Sequence, residues 1–157
     1  MQNGSCVCGQ VAYEVTANPL RVIVCHCKFC QKLSGSAFAI EPIFNESDFT
    51  LLKGELTHYD HISEGSGKKV VVNFCGECGT KISLTPTRFA DKLALYAGTF
   101  DEPNWFKMAP DNTVHVFTSE AMPGTILPPK METFGRHFIT NEGEAETAKI
   151  YQNLGFL

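Results

Sequence analysis

The sequence contains no run of basic residues and no long apolar run. Its 13 Lys and Arg are outnumbered by 17 Asp and Glu, giving a formal net charge of −4, so the electrostatic footprint of a nucleic-acid binder is missing. No apolar stretch approaches the roughly 18 residues of a membrane helix. The start, MQNGSCVCGQ, lacks the charged region and apolar core of an export signal. A cytosolic chain with no membrane or nucleic-acid partner is expected. Ser-His-Asp elbows, phosphate-cradling glycine loops, paired carboxylates and internal repeats are missing as well, which removes the commonest hydrolase and nucleotide-binding readings.

What remains is a 157-residue chain, 43% hydrophobic, enough for one core, and a single domain over residues 1–157 is expected. Short stretches rich in β-branched and aromatic residues, separated by Gly, Pro, Asn and Asp, predict strands over 10–16, 20–24, 37–41, 49–53, 56–62, 68–74, 81–84, 92–97 and 113–118. Glu64-Gly65-Ser66-Gly67 is the clearest hairpin loop. The gaps are too short for repeated βαβ units, so the fold class is mainly β with short antiparallel strands. Two short helices are predicted, over 28–33 and, at the C-terminus, over 144–154. Residues 121–157 otherwise read as a Pro- and Gly-rich extension.

The seven cysteines form three tight groups: Cys6 and Cys8; Cys25, Cys27 and Cys30; Cys75 and Cys78. An odd number cannot pair fully, and the spacing is too close for easy disulfides, so metal ligation is the better reading. Zinc takes four tetrahedral ligands in a closed structural site and keeps one position open when the protein supplies three. Cys6, Cys8, Cys75 and Cys78 would together close a cage that ties the N-terminus to a later hairpin. Gly9, Gly76 and Gly79 beside them suit knuckle turns with positive φ. Cys25, Cys27 and Cys30 then lack a fourth thiolate. His26, between two ligating neighbours, would strain to supply it. Cu(I) also accepts thiolates, but zinc is the first choice, with two ions per chain. Seven thiolates and two Zn²⁺ would take the formal charge from −4 to −7, leaving an open site of net −1 that still accepts a thiol, whose pKa a metal lowers. Lys28 and Lys32 flank it and are candidates to attract a carboxylate.

These residues bring a resemblance into view. Gly4-Ser5-Cys6-Val7-Cys8-Gly9-Gln10-Val11, Cys25-His26-Cys27-Lys28-Phe29-Cys30-Gln31-Lys32 with Gly35 and Phe38, Phe74-Cys75-Gly76-Glu77-Cys78-Gly79-Thr80, and Ala97-Gly98-Thr99-Phe100-Asp101 resemble the glutathione-dependent formaldehyde-activating enzymes, a family that includes proteins similar to centromere protein V. The resemblance spans about residues 2–120, with all seven cysteines in order; Phe100 stands where an aliphatic residue is usual. It implies a β-tent fold, a structural zinc on Cys6, Cys8, Cys75 and Cys78, and a catalytic-type zinc on Cys25, Cys27 and Cys30. The implied activity is that of a carbon-sulfur lyase, the reversible condensation of glutathione with formaldehyde to S-hydroxymethylglutathione. The partner would be a small thiol such as glutathione, together with an aldehyde. A non-catalytic zinc module serving as a protein platform, and a redox role for Cys25, Cys27 and Cys30, are the alternatives.

Among the other candidates, His58 and His61 lie three apart in a predicted strand and cannot readily share an ion. His115 is expected on a solvent face or lining a cleft, and His137 in a solvated loop or one folding over the pocket. Phe38 and Trp105 are candidates for an apolar wall beside the three-cysteine group.

Overall fold

A computed structural model describes residues 1–64 and 66–157. The strands are β1 (Gln2–Ser5), β2 (Ala12–Val15) and β3 (Arg21–Cys25), followed by α1 (Lys28–Ser34), the one α-helix among the described residues. There follow β4 (Ala39–Asn45), β5 (Phe49–Lys53), β6 (Leu56–Ile62), β7 (Lys69–Cys75), β8 (Lys81–Pro86), β9 (Lys92–Leu95) and β10 (Thr113–Val116). Four two-residue strands end the chain: β11 (Ile126–Leu127), β12 (Glu132–Thr133), β13 (Lys149–Ile150) and β14 (Gly155–Phe156). β5 and β6 occupy their predicted bounds, and β2 to β4 and β7 to β10 fall on predicted stretches with shifted ends. The strands over 92–97 and 113–118 stop early because 3-10 turns at Ala97–Thr99 and Thr118–Glu120 take over.

The chain divides into two compact units. The first, Met1–Leu20 with Pro42–Lys107, contains the three-stranded antiparallel sheet β1-β2-β5 and the antiparallel run β4-β9-β8-β7-β6. Alternation drives burial here: Tyr13 and Val15 on β2 turn inward, with Val11, Phe44, Ile82, Leu93, Leu95 and Phe100. Trp105 joins this core, its ring 5.3 Å from Phe100 and 6.3 Å from Phe44. It is therefore a core aromatic of the first unit. β6 and β7 form the predicted hairpin in unbroken register from Leu56↔Cys75 to Ile62↔Lys69; Gly65 of the predicted loop lies outside the described residues.

The second unit, Arg21–Glu41 with Met108–Leu157, departs from the antiparallel expectation. β10 runs parallel to both β3 and β12. The long stretch of chain between β3 and β10 lets the strand return in the same direction. All four residues of β10 are buried, the signature of a strand covered on both faces.

The predicted C-terminal helix over 144–154 is not formed. Its apolar residues make no continuous stripe, and most of the segment is exposed, so coiling would bury little and a short helix is marginal by itself. Lys149–Ile150 instead adds to β12, Thr133 opposite Lys149 and Glu132 opposite Ile150, and Gly155–Phe156 pairs with β11. Strand pairing satisfies this backbone where helix propensity does not.

Candidate metal centres

In the first unit, Cys6 and Cys8 sit in the turn after β1, Cys75 ends β7, and Cys78 lies in the turn to β8. All four Sγ atoms lie within 4.8 Å of one another. Cys8 Sγ is 3.4 Å from Cys6 Sγ and 3.7 Å from Cys75 Sγ. A tetrahedron of thiolates about 2.3 Å from a central ion has edges near 3.8 Å, so the spacing fits zinc-sized ligation. The turns are shaped by their glycines: Gly9 has φ 70° and Gly79 φ 72°, donating to Cys6 O and Cys75 O. Gly76 is needed for another reason. Its φ is not positive, but a Cβ there would meet Thr57 Oγ1 at 2.7 Å. Val11 N–H donates to Cys6 Sγ at 3.2 Å. The Thr80 hydroxyl accepts from Val7 N–H and lies 3.1 Å from Cys78 Sγ, and these contacts to Thr80 pull the Cys78 thiol down to about 5. Cys6 and Cys75 are buried, while Cys8 and Cys78 are exposed.

The second unit gathers Cys25, Cys27 and Cys30 within the same 4.8 Å limit, and among the described residues no fourth Cys, His, Asp or Glu ligand atom joins them. Cys25 ends β3, Cys27 is the N-cap of α1, and Cys30 lies in its first turn. Cys27 Sγ accepts from the Cys30 amide at 3.3 Å, an N-cap bond made by sulfur in place of the usual oxygen. Hydrogen bonds from Cys25 and Cys30, with the amides of Cys30 and Phe29, hold the Cys27 thiol down to about 3. The thiols of Cys25 and Cys30 are pushed well up, chiefly by sharing their hydrogen bonds within the group. The group thus takes its first negative charge on Cys27, the least buried of the three.

Three further residues, Glu120, Glu41 and His26, pack around this site. Glu120 accepts from Lys28 N–H through Oε2 at 2.9 Å, and its carbonyl accepts from Gln31 Nε2 at 2.9 Å and Lys28 Nζ at 3.3 Å. Glu41, buried, accepts the Cys30 thiol hydrogen bond on Oε1 at 3.2 Å, and burial pushes its carboxyl up to about 8. His26 does not join the thiolates: its Nε2 lies 3.1 Å from His115 Nδ1, and its ring is 5.3 Å from Phe38. His115 is neither on a solvent face nor lining a cleft; it is 4% exposed, because β10 is covered on both sides. Burial, with the neighbouring His26, lowers it to about 4.

Elsewhere, His58 is exposed and His61 half-buried on β6. His137 stacks on Phe138 at 4.2 Å, and its Nδ1 accepts from Ile139 N–H. Glu41 and Glu120 were not singled out by sequence. A lone acid between Ala39, Ile40, Pro42 and Ile43 is a signal that would have found Glu41; nothing comparable marks Glu120.

A family model described as glutathione-dependent formaldehyde-activating enzyme matches residues 1–120. The chain belongs to the glutathione-dependent formaldehyde-activating family. The match covers both cysteine groups and ends at Glu120, the residue that anchors α1. Family membership carries a glutathione-related, formaldehyde-activating function. No curated protein matches the chain. A crystal structure of a Rhodobacter sphaeroides protein, 23% identical, superposes with a TM-score of 0.52, covering 64% of this chain and 88% of its own; that likeness concerns the fold. Among the described residues no helix is long and apolar enough to cross a membrane.

Proposed function

We propose that the chain, working as one domain, is a zinc-dependent carbon-sulfur lyase-type enzyme that joins a small thiol, glutathione in the first instance, to formaldehyde. Cys6, Cys8, Cys75 and Cys78 would hold a structural zinc, and Cys25, Cys27 and Cys30 a second one. The observation that carries this reading is the group of three converging thiols with no fourth protein ligand among the described residues. When bound there, zinc supplies Lewis acidity that keeps a substrate thiol as thiolate at neutral pH.

The chain's own residues do the rest. Cys27, already favoured as thiolate, and its neighbours form the ligand face. Glu41 Oε1 lies beside Cys30 Sγ, and its carboxyl, pushed up to about 8 by burial, adds little negative charge next to the thiolates at neutral pH. Glu120 and Gln31 fasten the helix on which Cys27 and Cys30 sit. His115, through His26, fixes the arch between Cys25 and Cys27. Lys32, exposed on α1, offers a charge to a thiol that carries carboxylates. In the net reaction one carbon-sulfur bond forms, the carbonyl becomes a hydroxyl, and the proton lost by the thiol ends on that hydroxyl.

Native mass spectrometry with and without glutathione, followed by NMR of added ¹³C-formaldehyde, tests the reading. Two zinc ions, a glutathione adduct and accelerated formation of the S-hydroxymethyl signal are expected, and in Cys27→Ala the second zinc, the adduct and the acceleration should be lost together. One zinc with no adduct would overturn the thiol-activating assignment and turn attention to a non-catalytic zinc module.

A further inference from the structure

We propose that the free edge of β6 is a homodimer interface, pairing antiparallel with β6 of a second copy of this chain about a two-fold axis at Tyr59. β6 ends its run of strands and contacts β7 on one side only. The direction of its backbone groups follows from three hydrogen bonds. Ser63 N–H donates to Lys68 O across the hairpin. By the alternation of an antiparallel ladder, Thr57, Tyr59 and His61 then bond to β7, while Leu56, His58, Asp60 and Ile62 point their N–H and C=O groups away from it. Two bonds on the far side of β7 agree. Cys75, opposite Leu56, donates to Thr80 O, and Lys69, opposite Ile62, accepts from Thr87 N–H. Both face β8. Among the described residues no backbone group meets the four outward residues.

Such an edge is a template for another strand, and monomeric proteins blunt it with proline, lysine, a bulge or brevity. β6, Leu-Thr-His-Tyr-Asp-His-Ile, has seven residues, no proline, no lysine and no bulge. Tyr59 and Ile62 are 57% and 59% exposed on it. The sequence is also complementary to itself. With Tyr59 facing its own copy, His58 stands opposite Asp60, Leu56 opposite Ile62, and Thr57 opposite His61. All four outward residues then fall into hydrogen-bonded pairs. Asp60 Oδ2 is held by Lys69 at 3.1 Å, leaving Oδ1 for the incoming His58. Sliding the register to put Asp60 opposite itself sets like charges together. Sliding it the other way leaves Ile62 unpaired. One register therefore satisfies backbone, charge and apolar residues together, which favours a second copy over an unrelated segment.

Sedimentation velocity of the zinc-loaded full chain across the micromolar range tests this. A concentration-dependent dimer is expected. His58→Glu places two like charges opposite each other twice per interface and should weaken the dimer by about tenfold. His58→Glu with Asp60→Lys restores opposite charges in the same register and should bring the dimer back. Zinc count and circular dichroism of each variant verify that the fold persists. A monomer at every concentration overturns the proposal and leaves the edge to an extended segment of another protein. A dimer that neither variant alters overturns it in favour of another surface.

Discussion

In the first unit four cysteines meet at the tips of two turns, two of them exposed, with glycines shaping the chain and a threonine hydroxyl beside them. In the second, three cysteines gather around the start of a short helix, two of them buried, beside a buried carboxyl and a buried histidine pair. The donor atom is the same. The cysteine count and the neighbours differ, and in the proposed function those differences would separate a site that closes on its ion from one that leaves room for a substrate. A four-thiolate cage needs only turns that bring its members together. Around Cys25, Cys27 and Cys30 the structure adds a helix fastened by Glu120, a buried carboxyl and a buried histidine pair.

The sharpest way to break this contrast is to remove one ligand from each group. Cys75→Ala should unfold the chain, because structural zinc contributes on the order of 10–16 kcal/mol against a whole stability of roughly 5–15 kcal/mol; a soluble variant that still melts cooperatively in calorimetry would contradict the cage. Cys27→Ala should leave a folded chain with one zinc and no turnover, read by native mass spectrometry and the ¹³C assay. Undiminished turnover would sink the assignment of that group.

Glu41→Gln keeps the shape but removes the carboxyl beside Cys30, and should lower kcat/KM by about tenfold to a hundredfold, with circular dichroism unchanged. An unaltered rate would reduce Glu41 to a packing role.

The histidine pair gives a pH signature. His115 in the folded chain is held to about 4, below its unfolded value of roughly 6.5. Between these values the unfolded chain binds the proton and the folded chain does not, so stability falls as pH drops from 7 towards 5, by about 2 kcal/mol for this residue. His115→Gln should lose less over that interval than the parent chain in urea melts. Equal losses would show that the pair does not titrate against folding.

Smallest of all, Glu120→Ala removes the acceptor of the Lys28 amide and should cost about 1 kcal/mol, seen as a drop in Tm of about 2–4 °C with the first unit's zinc retained. No shift in Tm would mean that Cys27 alone caps α1.

Much of this molecule was legible along the chain, and the reasons are local. β5 and β6 have their predicted bounds, since β-branched and aromatic residues are bracketed there by Asp48, Gly54 and Ser63. Helix α1 starts after Cys27 and stops at Gly35 as expected. The partition of cysteines into four and three follows from spacing and appears in space. Gly76 shows the limit: its need comes from Thr57, distant in sequence, and not from its own φ. The segment 144–154 shows it again, because its choice between coil, helix and strand depended on the open edge of β12.

By itself, then, the sequence determined the β-rich class, the two cysteine groups and the family, since these rest on residue type and short spacings that survive in any conformation. Tertiary structure alone decided that Glu41 meets Cys30, that Glu120 caps α1, and that His115 is buried against His26. Each of these joins residues whose encounter depends on how strands align, 11 positions apart for Glu41 and 92 and 89 for the other two. No local propensity encodes such an encounter; it is set by which faces the strands bury.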